Sequence, residues 1–180
     1  MKIYVIRHGF TEFNRKSIIN GHLDDDLAPE GIEQAEIASG SLPGTIRHIY
    51  CSPLKRTRHT AEILNSNLKA PITFHPELME VDFGELNGQP FTDERKAIHK
   101  SQKYDWRPHK GESVADVKGR LLKLLRDIRP NIKSDGAALL VTHGGIMRLM
   151  YLLETGVLMD EVQNAALHSF DIDKILDRNK

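Results

Sequence analysis

Apolar and polar positions follow one another along this chain in two rhythms, short buried runs and helical stripes. Lys2-Ile3-Tyr4-Val5-Ile6 is rich in β-branched and aromatic residues and ends on a polar cluster, which predicts a buried strand over residues 2–7. Ile32, Ala35, Ala38 and Leu42 then recur at helical spacing behind Pro29, whose missing N–H is harmless at a helix start; a helix over 29–42 is expected. Beyond Pro43-Gly44, Ile46 to Cys51 reads as a second strand and Arg56 to Leu68 as a second helix. Pro71 to Phe74 is a short strand, and Leu78 to Gly88 is a loop carrying Glu80, Asp82 and Glu85. Val114, Val117, Leu121, Leu124, Leu125 and Ile128 form a strong helical stripe, opened by Ser113 and Asp116 as a capping box. Gly136 to Thr142 is a further strand ending at His143, Ile146 to Leu153 a helix, and Leu167 to Ile172 a last strand. Strands alternating with helical patterns predict an α/β fold with three layers, α/β/α, around a mostly parallel sheet. Ligands of such sheets bind beyond the carboxyl ends of the strands, where Arg7-His8-Gly9, Ser52 and His143-Gly144 are expected to converge.

The chain's 180 residues suit a single domain over 1–180, with no repeat or linker in view. Lys and Arg number 25 and so do Asp and Glu, so no net field draws the protein to nucleic acid or to an anionic membrane. Any anion must be held by a local cluster. With 39% hydrophobic and 28% charged residues, the composition is neither that of a disordered chain nor that of a membrane protein. The single cysteine, Cys51, permits no intrachain disulfide and no CxxC zinc site, and no secretory leader or membrane span is visible; a cytoplasmic setting is expected.

Candidate chemistry lies in four ordered segments. These are Arg7-His8-Gly9-Phe10-Thr11-Glu12-Phe13-Asn14, then Ser52-Pro53-Leu54-Lys55-Arg56 with Thr60-Ala61, then Glu80-Val81-Asp82-Phe83-Gly84-Glu85, and last Thr142-His143-Gly144. Together with Asp26-Leu27-Ala28-Pro29-Glu30-Gly31 they resemble the histidine phosphatase superfamily, the phosphoglycerate mutase-like proteins, from Lys2 to about Ile172. The resemblance implies that His8 is the nucleophile, that Arg7, Arg56 and His143 hold the phosphoryl oxygens, and that Glu80 donates the proton. It places Asn14 in the phosphate pocket, and Gly111-Glu112-Ser113 is similar to a family segment, with the role of Glu112 unsettled; Gly144, after His143, and His22, next to Asn20-Gly21, are further candidates for binding substrate, His22 reading equally as a surface loop residue.

Elementary chemistry agrees with those roles. Phosphoryl transfer needs positioning and charge stabilisation, and arginine forks bind two oxygens at once while staying charged. Neighbouring cations disfavour an imidazolium at His8, and its second ring nitrogen is expected to donate to a backbone carbonyl. Gly9 would let the main chain approach the phosphate. The arginines take the place of a metal, so neither metal nor organic cofactor is expected. Asp82 and Glu85 read as a solvated acidic loop, and the remaining histidines as structural or exposed.

Two departures from the family pattern stand out. Ala28 replaces the usual Ser or Thr before Pro29, giving up an N-cap commonly worth ~1 kcal/mol. Only 22 residues separate Gly88 from Gly111, where mutases of this family carry a longer insertion that encloses a bisphosphate cofactor. The expected function is therefore hydrolysis of a small phosphomonoester. The alternatives are a bisphosphoglycerate-dependent mutase and a module that binds phosphorylated ligands without turnover. Within the cover segment 89–110, Arg95, Lys96, Lys100, Lys103, Arg107 and Lys110 could bring charge over the pocket, or form an ordinary solvated basic face. Neither nucleic acid nor membrane is an expected partner, and substrate identity and oligomeric state stay open.

Overall fold

A computed structural model describes residues 1–94, 104–133 and 135–180 of the protein. Five strands, β1 (Lys2–Arg7), β2 (Ile46–Cys51), β3 (Ile72–Phe74), β4 (Ala137–Thr142) and β5 (Leu167–Asp171), form one sheet in the order β3-β2-β4-β1-β5. The pairs β1–β4, β4–β2 and β2–β3 are parallel, and β5 runs antiparallel along β1 at one edge. The sheet is thus mostly parallel. Helices α1 (Glu12–Arg15), α2 (Pro29–Ser39), α3 (Lys55–Leu68), α4 (Val114–Ile128), α5 (Gly144–Thr155) and α6 (Ile172–Arg178) surround it.

The period-two alternation of the strands divides the core between two faces. Ile3, Val5, Ala138 and Leu140 pack with Val117, Leu121 and Leu125 of α4, Met147 and Met150 of α5, and Ile175 of α6. Ile6, Ile49, Leu139 and Val141 pack on the opposite face with Ala61 and Leu64 of α3, and Ala38 of α2 joins at the margin. Covered on both faces, β4 is buried at all six positions, which explains its continuous apolar run.

Local sequence accounts for most boundaries and for the departures from expectation. Ser113 and Asp116 cap α4 reciprocally, and Pro29 opens α2 behind an Ala28 whose side chain makes no capping bond. The α2 helix stops at Ser39 with Gly40 as its C-cap, before Leu42, which packs as part of the following turn. The α5 helix begins at Gly144, not Ile146. Short α1 has no apolar stripe; it is closed by Thr11 and Asn14, each side chain accepting the other's backbone N–H at 3.2 Å. The 78–88 loop is tightened by 3₁₀ turns at Pro76–Leu78 and Gly84–Leu86. Of the cover segment 89–110, Arg95, Lys96, Lys100 and Lys103 lie outside the described residues. No helix among the described residues is long and apolar enough to cross a membrane.

Arg7 pairs with Thr142 in the register of β1 on β4, so His8 and His143 leave adjacent strands side by side at their carboxyl ends. The chain order reverses there, since β1 leads to β2 on one side of β4 while β4 leads to β5 on the other.

Candidate active site

His8 is 3% exposed, and its backbone N–H donates to the Thr142 carbonyl at 3.0 Å. Its ring Nδ1 lies 2.8 Å from the carbonyl of Gly9. A carbonyl only accepts, so Nδ1 carries the proton and Nε2 keeps its lone pair. Burial, then the charges of Arg56 and Arg7, hold the imidazolium pKa well below its ordinary 6.5, with only the Gly9 carbonyl opposing them. His8 is a neutral imidazole at neutral pH. Gly9 packs closely, but against protein: a Cβ there would come 2.3 Å from the carbonyl oxygen of Gly31, so glycine lets the loop rest on the first turn of α2. The Gly9 N–H is taken by Thr60 Oγ1 at 3.1 Å, a contact that answers the expectation of a main-chain approach to phosphate.

Two guanidinium groups act electrostatically on the ring. Arg56, in the first turn of α3, is fully buried; Nη1 donates to Leu23 O at 2.7 Å and to Asp25 Oδ1 at 3.2 Å, and Nη2 to Gly21 O at 2.9 Å. Arg7 Nη1 donates to the Val162 carbonyl. Burial lowers both guanidinium pKa values and nearby carboxylates, Glu80 for each, oppose it; both side chains stay charged. His143 is fully buried, its ring centroid 5.2 Å from that of His8, and its Nε2 lies 2.8 Å from Ser52 Oγ. Burial, then the charges of Arg56 and Arg7, push its pKa well below the usual value as well. Arg7 Nε, Arg56 Nε and His143 Nδ1 are three of five buried side-chain atoms without a hydrogen-bond partner among the described residues. Buried polar groups are nearly always paired, so three orphaned nitrogens in mutually interacting side chains mark a place built for acceptor oxygens.

The Glu80 carboxylate is held by backbone donors, Val81 N–H to Oε1 at 2.9 Å and Gly145 N–H to Oε2 at 3.1 Å. The second contact sets it at the amino end of α5. A Cβ at residue 145 would come 2.3 Å from Oε1. Gly145→Ala is therefore expected to displace the carboxyl group and cut turnover of an alkyl phosphate by about 10-fold or more, with a wild-type-like melting temperature. Unchanged kinetics would show that the carboxyl position is unimportant.

The other predicted residues make contacts with neighbouring protein groups. Asn14 Oδ1 accepts from Thr11 N–H and from Asn164 Nδ2. His22 Nε2 donates to the Glu80 carbonyl at 2.8 Å, so its contact is with the loop. A Cβ on Gly144 would lie 3.5 Å from Arg7 Nε, and glycine leaves that edge of the guanidinium clear. Asp82 is not a solvated acid: its Oδ1 accepts from Gly84 N–H and Asn87 Nδ2, both at 2.8 Å, and shapes the loop. Glu85 is exposed and paired with Lys110, as a surface acid.

Several contributors carry no mark of a site residue in the sequence. Asp24, Asp25 and Asp26 each hold a different part of α3: the Lys55 N–H, the Arg56 guanidinium and His59 Nδ1. Asn164 Nδ2 bonds the His8 carbonyl at 3.1 Å, and Ala165, at a left-handed φ of 53°, donates its N–H to the carbonyls of Arg7 and His8. A non-glycine residue held in that region marks a place where surrounding structure over-determines the backbone.

Relatives carry the same frame. The profile of the histidine phosphatase superfamily (branch 1) matches residues 3–176. A Hydrogenobacter thermophilus protein named "Putative phosphoserine phosphatase 2" is 30% identical over 97% of this chain and 88% of its own length. A 2,3-bisphosphoglycerate-dependent phosphoglycerate mutase of a Methylobacterium species is also 30% identical, over 92% of this chain and 86% of its own. Among solved structures, a mycobacterial glucosyl-3-phosphoglycerate phosphatase in complex with VO3 superposes with a TM-score of 0.79 at 25% identity, covering 93% of this chain and 91% of that one. A phosphoglycerate mutase from Thermus thermophilus gives 0.74 at 28% identity, over 95% and 93%. With a family match that runs from β1 into α6 and takes in both strand-end histidines, the chain belongs to branch 1 of the histidine phosphatase superfamily.

Proposed function

We propose that the protein is a phosphatase that hydrolyses a small phosphomonoester through a covalent phosphohistidine at His8. The observation that carries this reading is the set of three buried, unpartnered nitrogens, Arg7 Nε and Arg56 Nε, on two side chains whose charges act on a neutral imidazole, and His143 Nδ1, on the histidine ring beside it. A phosphoryl group offers acceptor oxygens and negative charge to that set. In the first step the Nε2 lone pair of His8 forms the P–N bond, the P–O bond to the leaving group breaks, and the departing oxygen keeps that electron pair and takes a proton from the Glu80 carboxyl. In the second, Glu80 accepts a proton from water, the water oxygen bonds to phosphorus, and the P–N electrons return to Nε2 as phosphate leaves. Ser52 has a part in this scheme. By donating its hydroxyl to His143 Nε2 it selects the tautomer with Nδ1–H, the form that gives a hydrogen bond to a phosphoryl oxygen.

Cationic side chains supply the charge that a metal supplies in other phosphatases, so the reaction as proposed uses no cofactor. The complex of the mycobacterial phosphatase with VO3 supports an oxyanion pocket in this frame. Mutase-named relatives favour a second reading, phosphate exchange between positions of one substrate. The 22 residues between Gly88 and Gly111 support hydrolysis, because a short cover admits water. Incubation with 3-phosphoglycerate, with and without 2,3-bisphosphoglycerate, separates the two. Inorganic phosphate is the expected product; bisphosphate-dependent conversion to 2-phosphoglycerate without phosphate release would establish the mutase instead.

A further inference from the structure

Glu80 sits on neither a helix nor a strand, yet proton transfer needs its carboxyl placed to within about 0.5 Å. The carbonyls of Glu77, Met79 and Glu80 all turn to one guanidinium, that of Arg120 on α4. Nη1 donates to Glu77 O at 2.6 Å and Met79 O at 2.8 Å, and Nη2 to Glu80 O at 3.0 Å. Nε and Nη2 also form a fork on Glu112, reaching Oε1 at 2.8 Å and Oε2 at 2.9 Å. A guanidinium has five N–H bonds, and these contacts use all of them. Unlike Arg7 and Arg56, Arg120 keeps no donor for an anion.

Glu112 extends the hold across the other side of the loop. Its Oε2 accepts the Asp82 N–H at 2.9 Å, and its own N–H donates to the Asp82 carbonyl at 2.9 Å. The backbone from 77 to 82 is thereby fixed on both sides of Glu80 by one ion pair. Exposed pairs contribute little, but this one is bidentate, with side chains only 18% and 21% exposed.

We propose that Arg120 and Glu112 are positioning residues that hold the Glu80 carboxyl in place for proton transfer, acting through the backbone of residues 77–82. The inference rests on the acid–base role assigned to Glu80 above. Every N–H of the Arg120 guanidinium is already taken by protein, and the helical pattern of α4 gives no sign of the role because the loop carbonyls that Arg120 holds are 40 or more residues distant.

The test compares kcat/KM for glycerol 2-phosphate, whose alkoxide needs a proton to depart, with that for p-nitrophenyl phosphate, whose nitrophenolate does not. The ratio of the two, taken on one preparation, is independent of how much protein is folded, whereas a general loss of structure lowers both alike. Glu80→Gln calibrates the measurement and is expected to depress the ratio by about 100-fold or more. Arg120→Lys, which keeps the charge but loses the fork, and Glu112→Gln are each expected to depress it by about 10-fold or more. If Glu80→Gln depresses the ratio while both other variants keep the native value, the positioning role is overturned and the role of Glu80 stands. A native ratio in Glu80→Gln itself would overturn the acid assignment and this inference with it.

Discussion

In excess EDTA the native protein is expected to release phosphate from p-nitrophenyl phosphate, and His8→Ala to lose about 10⁴-fold or more of kcat. The loss falls on kcat because the nitrogens that would bind the phosphoryl group belong to Arg7, Arg56 and His143, which the substitution leaves in place. Removing His8 takes away the only atom able to form the covalent intermediate in the proposed scheme, so little catalysis should survive beyond what binding and charge stabilisation provide. Glu80→Gln supplies the complementary result. With a leaving group that needs no proton the first step proceeds and the second stalls, giving a burst of nitrophenolate equal to the enzyme concentration followed by slow turnover. Phosphate release by His8→Ala above about 1% of the native rate, in protein with a native melting curve, would sink the phosphohistidine mechanism. Activity lost in EDTA and restored by added metal would sink its independence of metals.

Stability should fall steeply with acid in a range where carboxylates hardly titrate. The folded protein holds His8 and His143 unprotonated, with pKa values well below 6.5, while the unfolded chain takes up protons on both near 6.5. Below that pH the unfolded state binds more protons, so stability is full above 6.5 and is lost as pH falls, until the folded pKa values are reached. The slope approaches about 1.4 kcal/mol per pH unit for each group, or about 2.7 kcal/mol for the pair. His48 and His168, whose pKa values burial also lowers, act in the same direction with less weight because they are only partly buried. Urea unfolding in phosphate-free buffer at pH 7, 6 and 5 checks the slope, and His143→Gln should remove about half of the pair's share. A flat profile would mean that these histidines protonate in the folded protein.

Much of the fold was legible because its signals are local. The β1 and β2 boundaries follow from short β-branched runs, and α4 from an apolar stripe with its own capping box. The α1 helix, four residues held by Thr11, has no period to detect, and α6 begins where the apolar pattern of β5 runs on into Ile172. The grouping of Arg7, His8, Ser52 and His143 was foreseeable from strand ends alone. The framework behind it was not, since Arg120 serves a loop 40 residues earlier and Asn164 reaches His8 across 156. Nor does sequence disclose that Gly9 packs on Gly31, because one lies in a loop and the other in the first turn of α2, 22 residues apart with no pattern joining them.

The strand order has a consequence for synthesis of the chain. β1 is made first, but its sheet neighbours are β4 and β5, which end at Thr142 and Asp171. While the first hundred residues emerge from a ribosome, the strand leading to His8 has no edge to pair with, and pairing so distant in sequence slows folding. The β2–β3 pair can assemble early with α3, presenting a half-sheet whose open side awaits β4. His8 reaches its buried setting only after Asn164 and Ala165 arrive to hold its carbonyl. The active site is therefore incomplete until residues 164–171 have been made, and any truncation ahead of β5 leaves β1 exposed along one edge.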